Sequence, residues 1–145
     1  MRGLRSARRE RGSATIELVT VAPAVLLLLA LVVLAGQIAL ARQSVTMAAF
    51  DAARSGSLSA DASSAETAAH EAARTSLSQR GVECDPSIAV DASGFRLAPG
   101  VQGYVTVALS CRVALDAVAL PGAPGMITLT AEARSPVDLY RSRPR

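Results

Sequence analysis

The 145-residue chain has few of the residue types that build catalytic sites. It contains no tryptophan, one histidine, two cysteines, two tyrosines and two phenylalanines, and all fifteen of its basic residues are arginine. Two cysteines and one distant histidine cannot supply four metal ligands at a recognised spacing, so no metal site is expected. The sequence also has no nucleophile beside a base and no glycine-rich phosphate loop. We therefore expect a protein that is not an enzyme and that needs no cofactor.

One long apolar run dominates the chain. It extends from Leu18 to Leu40, 23 residues, and is broken only by Thr20, Pro23, Gly36 and Gln37. At a rise of ~1.5 Å per residue, such a helix reaches ~34 Å, which is enough to cross a bilayer. The ring of Pro23 and its missing N–H should loosen the helix near Val19. The run predicts a single membrane-spanning helix.

The segment before this run carries the positive charge of the chain. Residues 1–12 contain five arginines against Glu10 alone, a net charge of +4, whereas the whole chain carries +3 and the remainder therefore −1. Basic residues beside a span stay on the cytoplasmic side. We expect a disordered basic leader, a cytoplasmic N-terminus and an extracytoplasmic C-terminal domain on the cytoplasmic membrane. A remainder of charge −1 offers no footprint for nucleic acid.

An ordinary secretory signal is a competing interpretation of the same run. Ala39-Leu40-Ala41 fits the small-residue rule for signal peptidase, and cleavage there would release a soluble domain beginning at Arg42. The apolar core of a signal peptide is ~7–15 residues long, however, and this run is much longer. The sequence therefore favours retention of the helix.

The residues around the start of the run form a pattern with a known counterpart. Gly12 is followed by Ser13-Ala14-Thr15-Ile16-Glu17, which resembles the processing site of type IV prepilin-like proteins. Together with Pro23, Gly36 and the segment Ala48-Ala49-Phe50-Asp51-Ala52-Ala53-Arg54, it is similar to the TadE family of pseudopilins from the tight-adherence (Flp) pilus system. The chain departs from that family in having Leu18 in place of an aromatic residue and Phe50-Asp51 within the alanine motif.

The resemblance implies a processing site and an assembly role for the helix. A prepilin peptidase would cut after Gly12, so that Ser13 becomes the first residue and Glu17 the fifth. Glu17 would then pair with the new α-amino group of Ser13 on a neighbouring subunit, and Pro23 would belong to the same assembly helix. A simpler interpretation of Glu17 is a carboxylate at a helix N-terminus, which the macrodipole favours by ~0.3–1 kcal/mol.

The helix is expected to continue past the membrane as a stem. We predict one helix from Ser13 to Arg54, within a region of residues 13–56 that ends at Ser55-Gly56-Ser57. A stripe of small residues recurs at helical spacing on one side of the stem: Val45, Ala48, Ala49, Ala52 and Ala53. Small side chains allow another backbone to approach closely, so this stripe is a candidate packing surface.

Residues 57–145 are predicted to form an α+β head, giving a pilin-like fold. A second helix is expected over residues 64–80, with Ser63 and Glu66 as a capping box and Gly81 as its stop. His70 on its polar side is expected to be solvated. Alternation at period two predicts a small antiparallel sheet of about three or four strands, within residues 82–91, 105–116 and 127–134.

The two cysteines lie on the apolar parity of their strands. If those strands pair, both side chains lie on one buried face, and an extracytoplasmic location then favours a disulfide between Cys84 and Cys111. Two buried thiols are the alternative.

The resemblance implies a TadE-like minor pilin or pseudopilin that takes part in assembly of a tight-adherence pilus or a related secretion apparatus. Its expected partners are the membrane, other pilin-like subunits, Tad assembly proteins and the prepilin peptidase. The alternative is an uncleaved, single-pass membrane-anchored domain that binds an extracellular ligand. Substitution of Glu17 by alanine separates the two, because an anchored binding domain would be indifferent to it.

Overall fold

The computed structural model describes the backbone of residues 7–98, 100–114 and 125–139, and the side chains from residue 19 onward within those ranges. By internal contacts the chain divides into two compact units, Met1–Ile38 and Ala39–Arg145. We call these the N-terminal unit and the C-terminal unit. The division of the chain into leader, stem and head remains a prediction, although residues 39–56 of the predicted stem region belong to the C-terminal unit.

The first helix, α1, spans Ala7–Ser57, 51 residues, and Pro23 lies inside it. It begins before the predicted start at Ser13 and ends after the predicted end at Arg54. The expectation of disorder was therefore wrong for residues 7–12, where three arginines, one alanine and one glutamate are residues of good helix propensity. Residues 1–6 lie outside the described part of the chain.

The second helix, α2, spans Ala62–Gln79. Its N-cap is Asp61, whose carboxylate accepts a hydrogen bond from the backbone N–H of Ser64 at 2.9 Å, while the Ser64 hydroxyl accepts from the Asp61 N–H at 3.2 Å. The predicted capping box of Ser63 and Glu66 was wrong, because Asp61 offers a carboxylate acceptor one turn before Ser64 and the helix starts there. Gly81 follows the helix with φ +68, a left-handed conformation that suits glycine and agrees with its predicted role as the stop.

Three strands form the sheet in the described part of the chain: β1 (Ser87–Asp91), β2 (Tyr104–Ala114) and β3 (Met126–Pro136). They are antiparallel in the order β1-β2-β3, which confirms the predicted small antiparallel sheet and the α+β class. Leu109 of β2 stands opposite Ile88 of β1 and Ala131 of β3. Residues 115–124, between β2 and β3, lie outside the described residues.

A short 3₁₀ helix, Ser93–Arg96, follows β1 and packs tightly against the start of β2. A Cβ atom added to Gly94 would lie closer than 3.0 Å to the backbone of Tyr104, and one added to Gly103 would lie equally close to the backbone of Gly94. Both positions therefore require glycine, because the atoms in the way are main-chain atoms that cannot rotate aside.

The alternation of the strands defines the core. On β2, Val105, Val107, Leu109 and Cys111 are buried, and on β3 Leu129 and Ala133 are buried, as the period-two pattern predicted. These side chains join one cluster with residues of the two helices: Val45, Ala48, Ala49, Ala52, Ala53, Ala69, Ala73 and Leu77. The core of the C-terminal unit thus lies between one face of the sheet and two alanine-rich helices.

Candidate processing and assembly helix

The predicted processing site lies within α1. Gly12, Ser13 and Glu17 are all helical in backbone conformation, and their side chains are outside the described set. The structure therefore gives these residues a common helix. It does not test cleavage after Gly12 or the pairing of Glu17, which stay predictions.

The apolar segment of α1 is long and apolar enough to cross a membrane, by length and composition. Its large side chains, from Val19 to Leu40, are mostly exposed, and the N-terminal unit has no other described element to cover them. An exposed surface of leucine and valine of this length is stable only where something other than water covers it. This finding agrees with the predicted membrane-anchored chain; it does not show the orientation.

The small-residue stripe of the stem packs within its own chain. Val45, Ala48, Ala49, Ala52 and Ala53 are fully buried, and they pack into the core of their own chain. This burial agrees with the prediction that the stripe is a packing surface, and the elements that pack against it are α2 and the sheet of the same chain. The two helices can approach closely because their facing surfaces are rich in alanine.

Gly56 shows how close this approach is. A Cβ atom built at Gly56 would lie 3.2 Å from Val105 Cγ1, 3.3 Å from the Ala65 carbonyl oxygen and 3.5 Å from Ala69 Cβ. The last turn of α1 is therefore pressed against both α2 and β2. The sequence suggested that Gly56 ends the stem, whereas in the structure it is a packing position inside the helix.

A polar clamp joins α1 to α2. The Ser76 hydroxyl donates to Asp51 Oδ2 at 2.7 Å, and the Arg80 guanidinium lies 3.7 Å from the same oxygen and donates to the Ser76 hydroxyl at 3.3 Å. Ser76 is buried, while the side chains of Asp51 and Arg80 are about half exposed. Sequence reasoning missed this clamp, although the placement of Asp51 within an alanine motif was a signal that could have found it.

The opposite side of the stem remains exposed in the C-terminal unit. Met47 is 40% exposed and Phe50 50% exposed, and Arg54 on the same side is exposed as well. Phe50 and Asp51 are neighbours in sequence and both depart from the alanine motif, but their side chains lie in different environments. Asp51 holds α2, and Phe50 faces outward.

Cys84 and Cys111 form a disulfide with their Cα atoms 5.8 Å apart, as predicted. Cys111 is fully buried on β2, and Cys84 is half-buried in the segment before β1. The bond fastens the chain that follows α2 to the middle strand of the sheet.

The titratable groups of the C-terminal unit do not converge on a site. Among the described side chains, no group of three or more histidine, cysteine, aspartate or glutamate residues could hold a metal ion. His70 lies beside Glu66, Glu71 and Arg74 on the outer side of α2, in an open depression. The resolved pKa shifts come from local hydrogen bonds: the Ser64 N–H lowers the pKa of Asp61, the N-cap of α2, and the Ser93 N–H lowers the pKa of Asp91.

Comparison with known proteins gives one family match, and it covers a part of α1. A family model described as TadE-like protein matches residues 12–54. The match begins at Gly12 and includes Glu17, Pro23, Gly36 and the alanine motif, so it confirms the resemblance for this segment. No curated protein and no solved structure matches the chain significantly.

Proposed function

We propose that this chain is a TadE-like minor pilin or pseudopilin that takes part in assembling a tight-adherence pilus or a related secretion apparatus. The observation that carries the proposal is the family match, which covers the apolar segment and begins at the glycine of the expected processing site. In this proposal the basic leader remains in the cytoplasm, a prepilin peptidase cuts after Gly12, and the C-terminal unit is extracytoplasmic.

The arrangement of the C-terminal unit supports a structural role for the helix. Because α2 and the sheet cover the small-residue stripe, the outer part of α1 presents Met47, Phe50 and Arg54 instead. Contacts with other pilin-like subunits outside the membrane would therefore use this exposed side. Contacts within the membrane would use the uncovered apolar surface of the span.

Glu17 is the proposed assembly residue. A carboxylate placed against hydrocarbon is costly unless it finds a counter-charge, and cleavage after Gly12 would create one in the α-amino group of Ser13. The pair would form between subunits and would set the register of neighbouring helices. Pro23 lies six residues further along the same helix.

The proposal is tested by replacing Glu17 with alanine and with glutamine in the source cell. We expect both variants to reach the membrane and to be cleaved at Gly12, but to be lost from the assembled pilus or apparatus, since neither retains the negative charge. Quantification of the variant protein in membrane and assembled fractions gives the measurement. Normal incorporation of Glu17→Ala would refute the assembly role of Glu17, and absence of the wild-type chain from the assembled fraction would favour the anchored binding domain instead.

A further inference from the structure

Gln37 is an anomaly in the apolar segment of α1. Between Val19 and Leu40, every described side chain is apolar except Thr20 and Gln37. Thr20 has an interaction partner, whereas the amide of Gln37 has none among the residues that the structure describes, and its side chain is exposed. In hydrocarbon, an amide without a hydrogen-bond partner is costly.

The position of Gln37 makes it difficult for water at the membrane interface to hydrogen-bond to its amide. Arg42, the first charged residue after the run, lies five residues later, which is ~7.5 Å along a helix. Side chains on a helix lean towards its N-terminus, so the amide of Gln37 points away from the Arg42 end and towards the middle of the apolar run. The amide therefore needs a partner at the depth of Val33 and Leu34.

The surface beside Gln37 leaves room for such a partner. A Cβ atom added to the adjacent Gly36 would meet nothing within 4 Å. Glycine leaves a low point on the helix surface at which a second helix can approach closely. Gln37 thus stands at the edge of a shallow notch on an otherwise apolar helix.

The chemistry of the amide selects the partner. A glutamine amide offers two donors and one acceptor oxygen, so two such amides can satisfy each other reciprocally. A parallel pair of identical helices related by a two-fold axis brings position 37 of one opposite position 37 of the other. Lipid chains and purely apolar helices offer neither donor nor acceptor. The partner with the required group at the required depth is a second copy of this chain.

We propose that two copies of this chain associate within the membrane through Gln37, amide to amide, with Gly36 allowing the helices to approach. The proposal rests on the membrane insertion that the proposed function assumes. It is independent of cleavage after Gly12 and of pairing by Glu17.

The test is energy transfer between donor- and acceptor-labelled copies of the full chain, each labelled at the C-terminus and reconstituted in phosphatidylcholine vesicles over a range of protein-to-lipid ratios. Wild-type protein should show transfer that rises with the protein-to-lipid ratio. Gln37→Leu should raise the dissociation constant about three- to eightfold, the change expected for one or two interhelical hydrogen bonds of average strength. Gln37→Asn, which keeps the amide, should recover part of the association.

Leu28→Met is the matched control, because position 28 lies nine residues away and on the opposite side of the helix. It should associate like the wild type, and so should Gly12→Ala, which retains the leader. Absence of concentration-dependent transfer in the wild type would overturn the proposal, as would unchanged association of Gln37→Leu. Equal weakening by Leu28→Met would also overturn it, since the contact would then be unspecific. Failure of cleavage alone would count against the proposed function and leave this contact intact.

Discussion

Breaking the disulfide between Cys84 and Cys111 should lower the free energy of unfolding of the C-terminal unit by about 3.5 kcal/mol. The two residues are 27 positions apart, and this separation sets the loop-closure entropy that the bond removes from the unfolded chain. The loss matters because the core is poor in large side chains. Among the described residues, nine of the seventeen buried hydrophobic positions are alanine.

Cys84→Ser is the variant of choice for this prediction. Cys84 is half-buried, so its replacement removes the bond with little loss of packing, whereas Cys111 is fully buried and its replacement would add a cavity. Urea titrations of the full chain in detergent micelles, followed by near-ultraviolet circular dichroism, give the free energy of unfolding. The wild type should respond to a thiol reductant, and Cys84→Ser should not.

Two results would refute the reasoning. A loss smaller than about 1 kcal/mol on reduction would mean that the loop is already restrained in the unfolded state. A response of Cys84→Ser to the reductant equal to that of the wild type would mean that the effect does not come from this bond.

Three smaller perturbations test individual contacts, each by the same urea titration. Ser76→Ala should destabilise the C-terminal unit by about 1 kcal/mol, since it removes the hydrogen bond that joins the two helices; Thr75→Ala, an exposed neighbour, should have little effect. Gly94→Ala should destabilise the C-terminal unit by about 1–3 kcal/mol, because the added Cβ would press on main-chain atoms. At Gly125 an added Cβ would meet nothing within 4 Å, so Gly125→Ala should be tolerated. The hydrogen bond from the Ser64 N–H lowers the pKa of Asp61 below its ordinary value. The stability that this hydrogen bond contributes is therefore complete above the ordinary pKa and is lost as the pH falls through the lowered pKa. Asp61→Asn should remove this part of the acid dependence of the free energy of unfolding, and persistence of the full dependence would contradict the capping role.

The sequence was sufficient where one periodicity dominates. The apolar run predicted α1, and period-two alternation predicted the sheet, because a half-buried strand must place every second side chain in the core. The apolar parity of Cys84 and Cys111, together with an extracytoplasmic location, favoured their pairing, although Cys84 lies in the segment before β1 and not in a strand. These inferences needed no knowledge of how the helices pack.

The sequence was insufficient where several partners compete for one group. Asp61 and Ser63 are both residue types that cap helices, and only the fold decides which of them is the N-cap of α2. The alanines of the stem are compatible with a neighbouring subunit or with α2, and the structure places α2 there. Asp51 and Ser76 are 25 residues apart, so no local pattern reveals their contact.

We propose that the chain is a pilin-type subunit whose leader is removed after Gly12. This proposal is tested most directly by the N-terminal residue and intact mass of the protein recovered from membranes of cells that carry a prepilin peptidase, with Gly12→Ala as the control. We expect a chain that begins at Ser13 in the wild type and retains its leader in Gly12→Ala. A chain that begins at Met1 in both would contradict it, and one that begins at Arg42 would show a secreted soluble domain with no assembly helix.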